Sequence, residues 1–300
     1  MQKFRALVTG GTGFVGKYLV SLLNEKGNFE IVLLKSDIRE KEAISSEIKS
    51  VKPDFLFHLA AQPFVPKAME DPWDTEETNV KGTLNILESI HRLAQPVKMV
   101  YVSTADVYGR QDFSTLPYNE NLIPNPLNPY SGSKLAAESY CRQYAAYNDK
   151  LSIVIARPFN HIGVGQRPEF VIPNFCNQII QAELTGSDFI SVGDLNPTRD
   201  FSNVKDIVNG YLILAEYGKA GEIYNLCSGK EVSIRYLVET LIHLSGKNIK
   251  CKVDPARIRS AETSRVFGDN LKMISLGWKP QISIEETLKE IYFSIKKNYL

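Results

Sequence analysis

The 300-residue chain contains only four cysteines. Cys141, Cys176, Cys227 and Cys251 are far apart and form no Cys-x-x-Cys pair. That argues against a metal site and against a disulfide framework. It suits reduced, mostly buried thiols in a cytoplasmic protein. Net charge is also missing, with 35 Lys+Arg against 34 Asp+Glu. No bulk field draws the chain to nucleic acid or an anionic membrane, and neither is expected as a partner. No apolar run approaches the roughly 20 residues that span a bilayer. The first strand begins almost at once, at Phe4-Arg5-Ala6-Leu7-Val8, and no secretory signal is expected before it. Internal repeats and low-complexity linkers are absent too. What remains is 43% hydrophobic and 23% charged, the composition of a soluble enzyme. The length suits one large domain or a domain with a smaller lobe.

In the first half, short apolar runs alternate with segments of helical period. Strands are expected at Ala6–Thr9, Ile31–Leu34, Phe55–His58, Lys98–Ser103 and Ser152–Ala156, and helices near Val15–Asn24, Lys41–Ser50, Asn79–Leu93 and Lys134–Tyr147. Strand alternating with helix implies parallel strands with right-handed crossovers, hence an α/β fold with a doubly wound (Rossmann) sheet. The second half is less regular, and 158–200 is rich in Pro, Gly and Asn. Helices are expected at Asp206–Tyr217, Ser233–Leu244 and Ile284–Ile295, with a strand at Glu222–Leu226 returning to the sheet. The expected organisation is a dinucleotide-binding domain of residues 1–160 plus 203–226, interleaved with a smaller lobe of 161–202 plus 227–300.

Gly10-Gly11-Thr12-Gly13-Phe14-Val15-Gly16 follows the first strand directly and opens a helix. A tight turn needs one glycine, close approach of a pyrophosphate needs another, and helix–strand packing needs the third. The helix N-terminus then offers free N–H groups and a positive dipole end. Three glycines alone are a weak signal, but this placement makes it strong. Asp37 is the nearest acidic residue for the adenosine ribose, although Asp37-Ile38 also suits a strand end beside the adenine. Lys35 and Arg39 could accept a 2′-phosphate, so the sequence leaves NAD and NADP open.

Tyr130-Ser131-Gly132-Ser133-Lys134 places a tyrosine and a lysine at i and i+4, on one face of a helix. A phenol titrates near 10, and a neighbouring ammonium should lower it into a useful range. The same lysine can hydrogen-bond the nicotinamide ribose. Composition alone yields about one such pair by chance, so its value lies in context. Asn128-Pro129 precedes it, and Ser103-Thr104 ends a strand at the sheet's carboxyl edge, where ligands bind in such folds. His58 reads as a packed, hydrogen-bonded core histidine. Asn79 opens a helix and could cap it, and Tyr108 reads as structural.

Taken together, Gly10–Gly16, His58-Leu59-Ala60-Ala61-Gln62, Asn79–Thr83, Ser103–Gly109 and Tyr130–Lys134 resemble the extended short-chain dehydrogenase/reductase family over essentially the whole chain. The resemblance implies an NAD or NADP site formed by Gly10, Thr12, Gly13, Phe14, Val15, Gly16, Asp37, Ile38, Leu59, Ala60, Ala61, Asn79, Tyr130, Lys134 and Pro158. It further implies that Tyr130 is the acid/base, that Lys134 is its partner, and that Thr104, with Ser103 beside it, polarises the substrate oxygen.

The segment Arg157-Pro158-Phe159-Asn160-His161-Ile162-Gly163-Val164-Gly165-Gln166 is more specific. It resembles that of GDP-4-keto-6-deoxy-D-mannose reductases, with Val164 in place of a proline. Further matches are Arg199-Asp200-Phe201, Tyr224–Gly229, Asp254–Arg259 and Leu276–Pro280. This likeness implies a GDP-linked 4-keto-6-deoxy sugar as substrate. Asn160 would meet the sugar or diphosphate, Arg199 and Arg259 the diphosphate, and Glu262 the nucleoside ribose. Forked arginine donors suit phosphate oxygens, and a carboxylate suits ribose hydroxyls. Each of these charges, taken singly, reads equally as solvated surface or a local ion pair. A dehydratase or 4-epimerase shares the cofactor and the Tyr–Lys pair, and a non-catalytic dinucleotide-binding regulator shares the fold. Related GDP-mannose dehydratases carry a glutamate where Asp106 stands here. That argues for a reductase, with the Asp106 carboxylate bonded to loop backbone. The long helices at Asn79–Leu93 and Lys134–Tyr147 are expected to pair in a homodimer.

Overall fold

The computed structural model describes residues 3–258 and 263–299. The first half runs β1 (Phe4–Thr9), α1 (Phe14–Lys26), β2 (Phe29–Leu33), α2 (Lys41–Val51), β3 (Phe55–His58), α3 (Val65–Glu70), α4 (Pro72–Glu76), α5 (Gly82–His91), β4 (Val97–Val102), α6 (Pro129–Tyr147), β5 (Leu151–Pro158). It continues through β6 (Asn160–Ile162), α7 (Val171–Thr185), β7 (Phe189–Val192), β8 (Thr198–Arg199), β9 (Phe201–Asn203), α8 (Val204–Tyr217) and β10 (Ile223–Leu226). Last come β11 (Val232–Ser233), α9 (Ile234–Ser245), β12 (Lys250–Val253), β13 (Arg265–Val266), α10 (Leu271–Ser275) and α11 (Ile284–Lys296).

Among the described residues, six parallel strands form the main sheet in the order β10-β5-β4-β3-β1-β2. Ala6, Leu7 and Val8 of β1 are all fully buried, because helices cover both faces of the sheet. On one face Leu19 and Leu23 of α1 pack with Ile207 and Tyr211 of α8. On the other, Ile44 and Ile48 of α2 pack with Ile86 and Ile90 of α5 and Ala137 and Cys141 of α6. The winding reverses at β1, which has β2 on one side and β3 on the other. Connections leave this point in opposite directions, and a crevice opens at the strands' carboxyl ends.

The second half builds its own core from Ile172, Phe175 and Ile179 of α7, Leu237 and Leu241 of α9, and Leu288 and Ile291 of α11. Three small sheets accompany it: β6 with β9, β7 with β12, and β8 between β11 and β13. As expected from the sequence, β10 returns to the main sheet.

Three expectations need correction. The stretch 158–200 is not irregular throughout, since the 15-residue α7 lies within it. Its Pro173 is tolerated because the first turn's N–H groups have no helical acceptor, and Gly186 ends it in the left-handed region at φ 75°. Helix α6 starts at Pro129, not Lys134. Asn128 caps it reciprocally with Ser131 (2.9 Å and 3.3 Å), and a proline fits the first helical position. Finally, the helix expected from Asn79 begins as a π-helical turn, Glu77–Lys81, that leads into α5.

Candidate active site

The glycine loop sits at the head of the crevice. Gly10 has φ 67°, and a Cβ there would lie 2.8 Å from the backbone nitrogen of Ala60. A Cβ on Gly16 would lie 2.2 Å from the Gly10 carbonyl oxygen, so α1 meets the loop with no room for a side chain. Gly13 precedes α1 without a side-chain cap, and the first turn holds no acidic residue. Free amides and a positive helix end therefore face the crevice, and this cradle fits a dinucleotide pyrophosphate.

The crevice has a volume of about 1450 Å³ and reaches from this loop to Arg199. That exceeds the space one small ligand takes and suits two elongated ligands meeting end to end. Its wall includes Gly10, Thr12, Gly13, Phe14, Val15, Gly16, Asp37, Ile38, Leu59, Ala60, Ala61 and Pro158, the residues expected from the sequence. Asn79 is the exception, being buried behind the wall. It neither caps a helix nor reaches the crevice. Its side chain accepts from Gln62 N (2.8 Å), donates to Gln62 O (3.2 Å) and donates to Ser133 Oγ (2.9 Å). Asn79 thus ties the loop after β3 to α6.

In the connection from β2 to α2 the Arg39 guanidinium grips Asp37 (2.6 Å) and Asp74 (3.0 Å). It holds the Asp37 carboxyl down at about 2. Arg39 is thereby committed to carboxylates and is not an open 2′-phosphate clamp. His58 is a core residue, as read from the sequence. Its Nδ1 meets Thr9 Oγ1 at 2.7 Å and its Nε2 meets Thr83 Oγ1 at 3.0 Å. Burial drives it down to about 3, so it stays neutral.

Tyr130, Lys134, Ser103 and Thr104 also line the crevice. Thr104 follows β4, and its Oγ1 accepts from the Asp106 N–H (3.1 Å), capping the short turn Ala105–Tyr108. Tyr130 is in the first turn of α6, with Lys134 one turn on. The lysine is buried, with Nζ 4.5 Å from the centre of the Tyr101 ring. Burial lowers it to about 8, while Cys141 and Glu138 pull it back up.

Three sequence expectations change here. Lys134 was expected to lower the Tyr130 phenol. Burial, and then the Asp106 carboxylate, instead push it well above its ordinary value, with a Thr104 hydrogen bond acting the other way. The phenol therefore stays protonated. Ser103 does not offer its proton to the crevice, because the hydroxyl donates inward to Glu138. The Asp106 carboxyl also departs from expectation. The residue's backbone N–H makes the local contact, while burial raises the carboxyl and the nearby charge of Arg199 lowers it.

Asn160 opens β6 and is exposed to the crevice. Arg199 ends β8 and donates to Thr198 O (2.8 Å). Its neighbour Asp200 is buried and accepts from Ser228 N (2.7 Å), Ser228 Oγ (2.6 Å) and Gly229 N (2.9 Å). Asp200 therefore pins the loop after β10 against β8. Arg259 and Glu262 lie outside the described residues. Sequence reasoning missed Arg167, which stands over the rings of Phe64 (5.5 Å) and Phe170 (5.7 Å) at the crevice mouth. Nothing in the local sequence links Arg167 to Phe64, which lies far upstream.

Comparison with known proteins matches this architecture. The family model described as GDP-mannose 4,6 dehydratase matches residues 28–291. A GDP-6-deoxy-D-mannose reductase of Pseudomonas aeruginosa is 39% identical over 96% of this chain and 95% of that protein. A GDP-6-deoxy-D-talose 4-dehydrogenase of Aggregatibacter actinomycetemcomitans is 32% identical over 96% of this chain and 97% of its own length. The structure of RMD from Pseudomonas aeruginosa complexed with NADPH superposes with a TM-score of 0.91 at 38% identity, covering 99% of this chain and 100% of that one. With the glycine cradle and the Tyr130–Lys134 pair on one crevice wall, the chain belongs to the GDP-mannose 4,6-dehydratase-like family of extended short-chain dehydrogenases/reductases.

Proposed function

We propose that this enzyme reduces the C4 keto group of GDP-4-keto-6-deoxy-D-mannose, using NADH or NADPH, to GDP-D-rhamnose or its C4 epimer GDP-6-deoxy-D-talose. The relatives named for GDP-6-deoxy-D-mannose and GDP-6-deoxy-D-talose support this substrate class, and the NADPH-bound neighbour supports the cofactor. A reduced nicotinamide held along the glycine wall would supply the hydride for C4. Gly10, Gly13, Gly16, Thr12 and the first turn of α1 would hold its pyrophosphate, and Lys134 its ribose.

The chain's own groups handle the proton. The new C4–H bond turns the carbonyl into an alkoxide, which needs one proton. Tyr130 supplies it, and the observation that carries the reading is that Tyr130, Lys134 and Thr104 line the same crevice as the glycine cradle. A general acid must hold its proton until charge develops on the substrate oxygen. The buried Lys134 ammonium stabilises the phenolate left behind, and the Thr104 hydroxyl donates to the substrate oxygen. Asn160 and Arg199, which line the same crevice, take the sugar and diphosphate. Purified enzyme given the 4-keto sugar and reduced nicotinamide should lose nicotinamide absorbance and yield a C4 alcohol by NMR. No turnover with either cofactor would sink the proposal.

The same reading includes a cytoplasmic homodimer. Cys141, Cys176 and Cys227 are free and buried, which suits a reducing compartment. Trp73 is 79% exposed, and α3 and α4 pack on α6, which exposes Tyr140 and Tyr147. Large exposed apolar groups on neighbouring helices suit an interface. Light scattering that returned a monomer mass would reject it.

A further inference from the structure

Glu138 lies one turn after Lys134 on α6 and is 2% exposed. Its carboxylate holds Arg157 at two points, Nε to Oε1 at 2.9 Å and Nη2 to Oε2 at 2.6 Å. Oε1 also accepts the Ser103 hydroxyl. The Arg157 guanidinium stands 4.8 Å over the Tyr108 ring, and the Tyr108 hydroxyl donates to Asn225 Oδ1 at 2.7 Å. One carboxylate therefore joins α6 to the carboxyl ends of β4 and β5 and, through Tyr108, to β10. Apolar side chains of similar volume fill such space at least as stably as a buried ion pair does. Stability alone is thus a weak reason for charges at this place.

The geometry points to Glu138 as a positioning residue for the reduction proposed above, on which this inference rests: it turns the Ser103 proton inward, leaves Thr104 as the hydroxyl that donates to the substrate oxygen, and sets a fixed negative charge one turn from Lys134.

The surroundings of Lys134 agree. Tyr130, Glu138 and Cys141 face it from α6, the Tyr101 ring from β4, and His58 from β3. His58 is neutral, and burial pushes the Tyr130, Tyr101 and Cys141 groups up, so all three keep their protons. The carboxylate paired with Arg157 is the negative charge in that set. It opposes the loss of the Lys134 proton that burial favours. A lysine kept charged through neutral pH is the form that stabilises a phenolate.

The test is Glu138→Gln, which keeps the shape and removes the charge. It leaves Arg157 buried without its partner and can impair folding. The double variant Glu138→Gln, Arg157→Met removes both charges and is examined beside it. Two readouts follow Lys134: the alkaline limb of kcat against pH, and NADPH affinity against pH by fluorescence titration. The limb should start near 8, where Lys134 titrates. It should move down by about one pH unit in both readouts for Glu138→Gln, and in the same direction but by less for the double variant, which also removes the opposing Arg157 charge. A folded variant with an unmoved limb overturns the proposal, and so does loss of folding in both, since Glu138 would then serve structure alone. Should the wild type fail to reduce the keto sugar, the functional reading falls, and the NADPH limb still judges Glu138.

Discussion

Gly16→Ala puts one methyl group where α1 meets the glycine loop. Its Cβ would lie 2.2 Å from Gly10 O and 2.6 Å from Gly11 Cα, whereas ordinary contact begins at 3.4 Å. Both neighbours are backbone, so no side chain can swing aside. The helix start must move off the loop by about 1 Å, at a cost of about 1–3 kcal/mol in stability. That displacement lengthens the amide contacts offered to the pyrophosphate. Loss of one hydrogen bond to a charged group costs about 1.5–3 kcal/mol, so NADPH binding should weaken about ten- to a hundredfold. Gly27→Ala is the control at the other end of the same helix. Its φ is 73° and nothing lies within 4 Å of the added Cβ. That variant should lose about 1–2 kcal/mol from the left-handed backbone alone and bind NADPH normally. Fluorescence titration gives Kd and thermal melts give stability. Normal NADPH binding in Gly16→Ala, or equal weakening in Gly27→Ala, would refute the assignment of this loop to the pyrophosphate.

Two further outcomes follow from the site. Tyr130→Phe should lower kcat by about 10²–10⁴-fold with NADPH affinity near normal, because the ring's shape survives and the proton does not; near-normal turnover would remove Tyr130 from the mechanism. His58 sits at about 3 against an ordinary 6.5, so its contribution to stability is complete above about 6.5 and declines as pH falls toward 3. At pH 5 the loss should be about 2 kcal/mol, read by denaturant unfolding at pH 7 and 5, and a His58→Asn variant should show less acid sensitivity than the wild type.

Much of the cofactor half was legible because its signals are local. Parallel strands buried on both faces read as short apolar runs, and Phe55–His58 coincides with the expected strand. The glycine loop lies between a strand and a helix, so its purpose follows from position. Helix α7 was obscured because Pro158, Gly163, Gly165 and Pro168 crowd the residues before it, although Ile172, Phe175, Cys176, Ile179 and Ile180 carry a helical period. Those breakers belong to the loop and not to the helix. The Glu138–Arg157 pair left a usable signal that went unread. Arg157 is the last residue but one of an apolar strand buried on both faces, and a charge there requires a partner. Glu138, at i+4 from Lys134, lies on the inward face of α6. The direction of the Tyr130 shift was not legible, because it depends on burial and on Asp106, which folding brings against the phenol. Nor was the commitment of Arg39 to Asp74, since those residues meet only in the fold.

The most direct test offers the enzyme two substrates in parallel. With the 4-keto-6-deoxy GDP-sugar and NADPH or NADH, the account predicts one equivalent of reduced cofactor consumed and a C4 alcohol by NMR. With GDP-mannose and catalytic NAD(P)⁺ it predicts no keto sugar, because Asp106 is one methylene shorter than the glutamate of related dehydratases, about 1.5 Å. Appearance of the 4-keto sugar from GDP-mannose would contradict the account and make Asp106 a catalytic base.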